Sequence, residues 1–183
     1  MKYPDVMVDL ETTGTSPDET AIIQISAVRF NLLTAEVDPN VFDMCLTMPP
    51  GRYWDEGTRA WWSKMPEVLK DIWQRQRPPE LVIKAFSDWV RAGDDGSQDL
   101  HFWSKPISFD WAFLQSYFRQ YQVPNPFHFR YAQDMNTFIR ARYYPEEAPP
   151  LEKNLPFDGS EHNAIDDCFH QIKVVLTAYE ETK

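Results

Sequence analysis

The chain has 183 residues, close to the span of a single domain, and a chain of this length buries a full core without disulfides or a structural metal. It carries 18 Lys and Arg against 28 Asp and Glu, a formal charge of −10, which excludes a protein that coats itself with nucleic acid through bulk positive charge. Aromatic residues make up 15% of the chain, which excludes a disordered polypeptide.

Residues 5–11 (DVMVDLE) alternate, with Val6, Val8 and Leu10 on one face and Asp5, Met7, Asp9 and Glu11 on the other, which predicts a strand. TTGTSPDET follows as a loop by its Gly, Pro and Ser content. Residues 21–33 and 41–48 read as a second and a third strand, and their short connections predict an antiparallel meander. From about residue 55 to 92 the pattern is helical, broken at Pro66 and at Pro78-Pro79, with Leu81, Val82, Ala85 and Trp89 towards one side of the last piece. A turn over 91–99 leads to a short strand at 100–103, then a helix over 108–121, a strand at 127–131 and a helix over 134–144. A loop at 145–150 precedes a closing helix over 163–181. Three strands followed by helices alternating with short strands predict a single α/β domain over 1–183 with a mixed sheet. Cys45 and Cys168 match no zinc or CxxC spacing, the first residues lack a signal-peptide run, and no stretch approaches 18 apolar residues. The expectation is therefore a soluble, cytoplasmic protein with no membrane partner.

Three acidic clusters carry the chemistry. Asp9 and Glu11 stand at i and i+2 on a strand, so both carboxylates share one face. Like charges so close are unfavourable without a cation between them, and hard divalent cations take carboxylate oxygens in this way. Two solvated acids at an exposed strand end give the same pattern. Ser108 as an N-cap places Asp110 in a first helical turn, at the top of the stripe Phe113, Leu114, Tyr117, Phe118 and Tyr121, and so aims it inward. A carboxylate favoured only by the helix dipole fits that position equally. His162, Asp166 and Asp167 form the third cluster. If Cys168, Ile172, Val175, Leu176 and Tyr179 are the buried stripe, both aspartates lie on opposite flanks, and periodicity does not choose between them.

In order along the chain, DLETTG, SFDWAFL and HNAIDDC resemble the three motifs of the DnaQ-like, or DEDD, exonuclease superfamily. A His followed five positions later by an Asp resembles the DEDDh variant, and that spacing selects Asp167 over Asp166. The stretch GTRAWWSK and the QDM of 133–135 are similar to a small stand-alone group that includes phage exodeoxyribonuclease A and mycobacterial exoribonuclease-like proteins. Where many members carry an Asn shortly before the second-motif Asp, this chain reads WSKPISFD.

The resemblance implies a ribonuclease H-like α/β fold, three antiparallel strands with parallel additions, flanked by helices. It also implies 3′→5′ phosphodiester hydrolysis with two Mg²⁺ or Mn²⁺ ions per site. Asp9 would bridge both ions, Glu11 and Asp167 would complete the first site, Asp110 would hold the second, and His162 would take the proton from the attacking water. Main-chain groups of Leu10, Thr12, Thr13 and Gly14 are the implied contacts to the terminal nucleotide. Trp62, Phe109 and Trp111 are candidates to stack on its base. Lys105, Arg130, Arg140, Arg142 and Lys153 are candidates to guide the upstream strand. Asp134 reads as a helix cap, and His170 as a rival ligand that an oxygen-only site leaves without a role. The implied partners are single-stranded or frayed DNA or RNA 3′ ends, and the Trp-rich surface allows a homodimer. An exoribonuclease trimming short RNA and a non-catalytic nucleic-acid-binding domain are the two alternatives; four clustered acids argue against the second.

Overall fold

A computed structural model describes residues 2–94, 96, 99–160 and 162–183. The turn expected over 91–99 therefore lies partly outside the described residues. The first strand, β1 (Asp5–Thr12), is buried on both faces, and so is β2 (Ile22–Phe30), whose run of Ile, Val and Ala suits a central position. They pair antiparallel with Asp9 opposite Ser26 and Glu11 opposite Gln24, and the register slips between Glu11 and Thr12. β3 (Phe42–Leu46) adds antiparallel to β2, which completes the expected meander. The helices α1 (Glu56–Trp62) and α2 (Pro66–Arg75) follow, then the two-residue β4 (Gln76–Arg77), parallel to β3, and α3 (Pro79–Ala92). β5 (His101–Ser104) runs parallel to β1, and after α4 (Ile107–Gln120) β6 (Ala132–Asp134) runs parallel to β5. The chain closes with α5 (Met135–Tyr143), α6 (Leu151–Asn154) and α7 (Ala164–Glu181). The sheet order is β4-β3-β2-β1-β5-β6, a mixed sheet as expected.

Alternation along β1 divides the core. Val6, Val8 and Leu10 join Phe86, Phe113 and Tyr117 from α3 and α4 on one face, while Met7 joins Met135, Cys168 and Ile172 from α5 and α7 on the other. A smaller cluster holds Ile23 and Cys45 under Trp62 and Ile72.

Three expectations are corrected. The strand placed at 127–131 is a 3₁₀ turn at Phe129–Tyr131 followed by β6, because β5 pairs with Ala132–Asp134 and Phe129 is exposed. On α3 the buried side is Val82, Ile83, Phe86 and Val90, and Leu81 is 59% exposed; two stripes met helical spacing, and packing on the sheet chose the other. Finally, α4 begins at Ile107 with Pro106 at the N-cap, so Ser108 lies inside the first turn. Asp134 performs the capping instead: one carboxylate oxygen accepts from Ile107 N–H (3.0 Å) and the other from Thr137 N–H (2.8 Å), joining α4 to α5.

Candidate active site

β5 covers only Asp5–Met7 of β1, so the C-terminal end of β1 is left open towards the first turns of α4 and α7. Asp9, Glu11 and Asp167 meet there, each offering a carboxylate oxygen within 4.8 Å of the others. Asp110 enters from α4, 2% exposed, and its Oδ2 has no hydrogen-bond partner among the described residues. Asp110 and Asp167 both occupy first turns, where the helix dipole favours a negative charge.

That help does not offset the crowding. Burial pushes the Asp9 carboxyl up to about 7, with the Asp167 charge adding to it and Gln171 and Lys105 opposing. Burial also drives Glu11 well above the usual range, followed by the charges of Asp9, Asp167 and Asp110. Asp110 rises for the same reasons, burial first and Asp9 second, and burial raises Asp167. An orphaned buried oxygen beside three converging carboxylates fits a hard divalent cation such as Mg²⁺ or Mn²⁺.

The structure also separates the two aspartates of the third motif. Asp166 turns to the preceding loop, where its Oδ2 accepts from Ser160 N–H (2.9 Å). Asp167 lies on the side of α7 that carries Gln171, Val174 and Ala178 into the core. The buried stripe is thus rotated from Cys168-Val175-Tyr179 towards Asp167, because Gln171 is buried with it. His170 faces away: its Nε2 lies 3.1 Å from the Glu152 carbonyl and its ring packs on Phe157.

His162 is exposed, with φ of +64°, in the loop before α7. The next residue, Asn163, caps α7 with its side chain and accepts from Gln24 Nε2 of β2 (3.3 Å). The His162 ring stands edge-on to Trp61 with centroids 4.8 Å apart. This corrects the choice of Trp62 as a stacking residue. Trp62 is 1% exposed and donates its indole N–H to the Thr12 carbonyl (3.0 Å), whereas Trp61 is 37% exposed beside His162.

The loop after Glu11 is corrected in part. Thr13 is buried, with its N–H on the Ala21 carbonyl, its carbonyl accepting from Asp55 N–H, and its hydroxyl donating to the Tyr53 carbonyl. With these groups taken, it shapes the loop and has none of them left for a nucleotide. Gly14 allows a close approach, since a Cβ there would meet Thr20 Cγ2 at 2.5 Å. The Leu10 side chain is core, which leaves only its main chain to reach the site, and Thr12 is nearly buried, with its hydroxyl on the Gly14 carbonyl. Phe109 is partly buried against Phe113, and Trp111 packs on Phe102. Of the basic candidates, Lys105 is paired with Glu152, and Arg142 is bound to Thr182 at the end of α7 and leaves the list. Arg140 and Lys153 line a cavity of about 250 Å³ between α5 and α6, and Arg130 is exposed.

Sequence reasoning missed Gln171, Gln24 and Arg52. Gln171 sits at i+4 from Asp167 in an apolar stripe, a legible signal. Arg52 gave none: it is buried on Ser116, Gln120 and the Pro17 and Thr20 carbonyls, and so braces the turn behind Gly14.

Solved nucleases share this architecture. The nuclease domain of 3′hExo, a DEDDh family member bound to rAMP, superposes with a TM-score of 0.72 at 18% identity, over 98% of this chain and 93% of that one. Cell-death related nuclease 4 (CRN-4) gives 0.72 at 16% identity, over 98% of this chain and only 65% of its own length. Pop2p of S. pombe, in a form with Mg²⁺ and Mn²⁺ bound, gives 0.71 at 14%, over 96% and 82%. The fold is therefore the ribonuclease H-like fold of the DEDDh exonucleases. No curated protein matches the chain in sequence. The family model of the 3′-5′ exoribonuclease Rv2179c-like domain matches residues 4–179, and the chain belongs to that family of nucleases.

Proposed function

We propose that this chain removes mononucleotides from the 3′ end of single-stranded or frayed nucleic acid with the help of two divalent cations, Mg²⁺ or Mn²⁺. The observation that carries the reading is the convergence of Asp9, Glu11 and Asp167 within 4.8 Å beside the buried, unpartnered oxygen of Asp110. Asp9, grouped with Glu11 and Asp167 and under the charge of Asp110 as well, would be the shared ligand; Glu11 and Asp167 would complete one position, and Asp110 would serve the other. Cations held there activate a water and neutralise charge on the leaving 3′ oxygen. His162, exposed at the rim, takes the proton of the attacking water at a ring nitrogen. Trp61, exposed beside His162, is the candidate to stack on the terminal base. A net charge of −10 is compatible with a polyanionic substrate because the acids at the reaction centre are the ones that cations offset. The exoribonuclease designation of the family favours RNA as the substrate class.

The test is digestion of matched DNA and RNA oligonucleotides, labelled at either end, with Mg²⁺, Mn²⁺ or EDTA. A ladder of products shortened from the 3′ end, formed only with metal and faster on RNA, is expected. Full activity in EDTA, or release from the 5′ end, would overturn the proposal.

A further inference from the structure

Gln171 lies one turn after Asp167 on the inward side of α7, among Cys168, Ile172, Val174 and Val175. A Leu or Met would fill that position without a polar atom. Instead the amide donates from Nε2 to Asp9 Oδ1 at 2.8 Å. The residue is 8% exposed, and its Oε1 is buried without a hydrogen-bond partner among the described residues. Buried polar atoms without partners are rare in folded proteins, and each asks for a donor. For the ionised Asp9 that a cation requires, turning the amide over does not remove the problem, because Oε1 would then face a carboxylate oxygen, acceptor against acceptor.

We propose that Gln171 is a positioning residue of the metal centre: one end of its amide holds Asp9, and the other accepts from a water in the shell of the bound cation. This rests on the reading of the acids as cation ligands. With Oδ1 engaged by Nε2, the Asp9 carboxylate has a fixed orientation, and its second oxygen is directed away from Gln171. The choice of an amide has a physical reason. A Lys or Arg at this place would orient Asp9 equally well, but its charge would compete with the cation for the carboxylate. An amide orients the ligand and adds no net charge. Because Gln171 and Asp167 share one helix face, the same element that delivers a ligand also fixes its neighbour on β1. The Oε1 acceptor, buried and without a partner among the described residues, is the atom left to take a donor from the cation's hydration shell.

The test is Mn²⁺ binding, measured by titration calorimetry and by the Mn²⁺-induced rise in melting temperature, without substrate. Gln171→Met keeps the length and removes both polar ends. Gln171→Asn keeps the amide on a shorter arm that does not reach Asp9, and it supplies the answer if the Met variant fails to fold. For a variant with native circular dichroism, Mn²⁺ affinity is expected to fall about 10- to 100-fold, the range for residues that orient metal ligands. Affinity within twofold of wild type in a folded variant would overturn the inference and leave the proposed function standing. Absence of Mn²⁺ binding by the wild-type protein would overturn the metal reading, and this inference with it.

Discussion

Replacing Asp9 with Asn should make the metal-free protein more stable while it abolishes hydrolysis. The Asp9 carboxyl is pushed up to about 7 by burial and then by the Asp167 charge, from an ordinary value near 3.8. In the folded state it therefore holds a proton that the unfolded chain releases. The cost is absent below about pH 4, grows between pH 4 and 7, and is complete above about pH 7. A carboxyl so raised corresponds to a ceiling of about 4 kcal/mol. Glu11 and Asp167 share this repulsion, and solvent reaches part of Asp9, so the single substitution should recover roughly 1–3 kcal/mol of it. Asn also retains an oxygen that accepts from Gln171 Nε2, so the hydrogen bond survives. For a chain of this size the gain amounts to an increase of about 3–10 °C in melting temperature at pH 8. Thermal denaturation in EDTA should show this difference at pH 8 and less than half of it at pH 5. Added Mg²⁺ should raise the melting temperature of the wild type and leave the variant nearly unchanged. An Asp9→Asn protein that is no more stable than wild type at pH 8, or a difference independent of pH, would refute the electrostatic reasoning. Retained hydrolysis would refute the role of Asp9 as a ligand.

Asp167→Ala should abolish activity in a folded protein, whereas Asp166→Ala, which removes only an acceptor for Ser160 N–H, should leave most of it; the reverse result in the same assay would shift the last motif by one residue. His162→Ala should lower kcat by about 10²- to 10⁴-fold with oligonucleotide affinity nearly unchanged, and lost stability with kcat preserved would make His162 a structural residue. Gly14→Ala forces a Cβ to within 2.5 Å of Thr20 Cγ2 and 3.0 Å of Asp55 Cβ, so it should destabilise the fold by about 1–3 kcal/mol, read as a lower melting temperature with metal absent. At the other end of β1 from the open end, the Asp5 hydrogen bond to His101 (2.9 Å) draws the imidazole above its ordinary value. The stabilisation it supplies is full below the unfolded value near 6.5 and fades as pH rises through the higher folded value, so His101→Ala should cost more melting temperature at pH 5.5 than at pH 9.

Some of this protein was legible in one dimension, because the property concerned is local. Alternation along residues 5–11 established a strand and put Asp9 and Glu11 on one face, and the pleat guarantees that whatever the strand packs against. The order and spacing of DLETTG, SFDWAFL and HNAIDDC identified the superfamily, and the His-to-Asp interval preferred Asp167 where periodicity alone was neutral. Other features depended on contacts between distant segments. Only the sheet showed that the pairing of β5 with β1 stops at Met7 and leaves the acidic end of β1 open. Adjacent residues on a helix point about 100° apart, so Trp61 and Trp62 had opposite fates that only the packing of α1 on β2 and β3 decided. The rotation of α7 about its axis is likewise set by what it buries. The i+4 spacing from Asp167 marks Gln171 as sharing its face, but that its amide meets Asp9 across 162 positions of sequence is a fact of the tertiary structure alone.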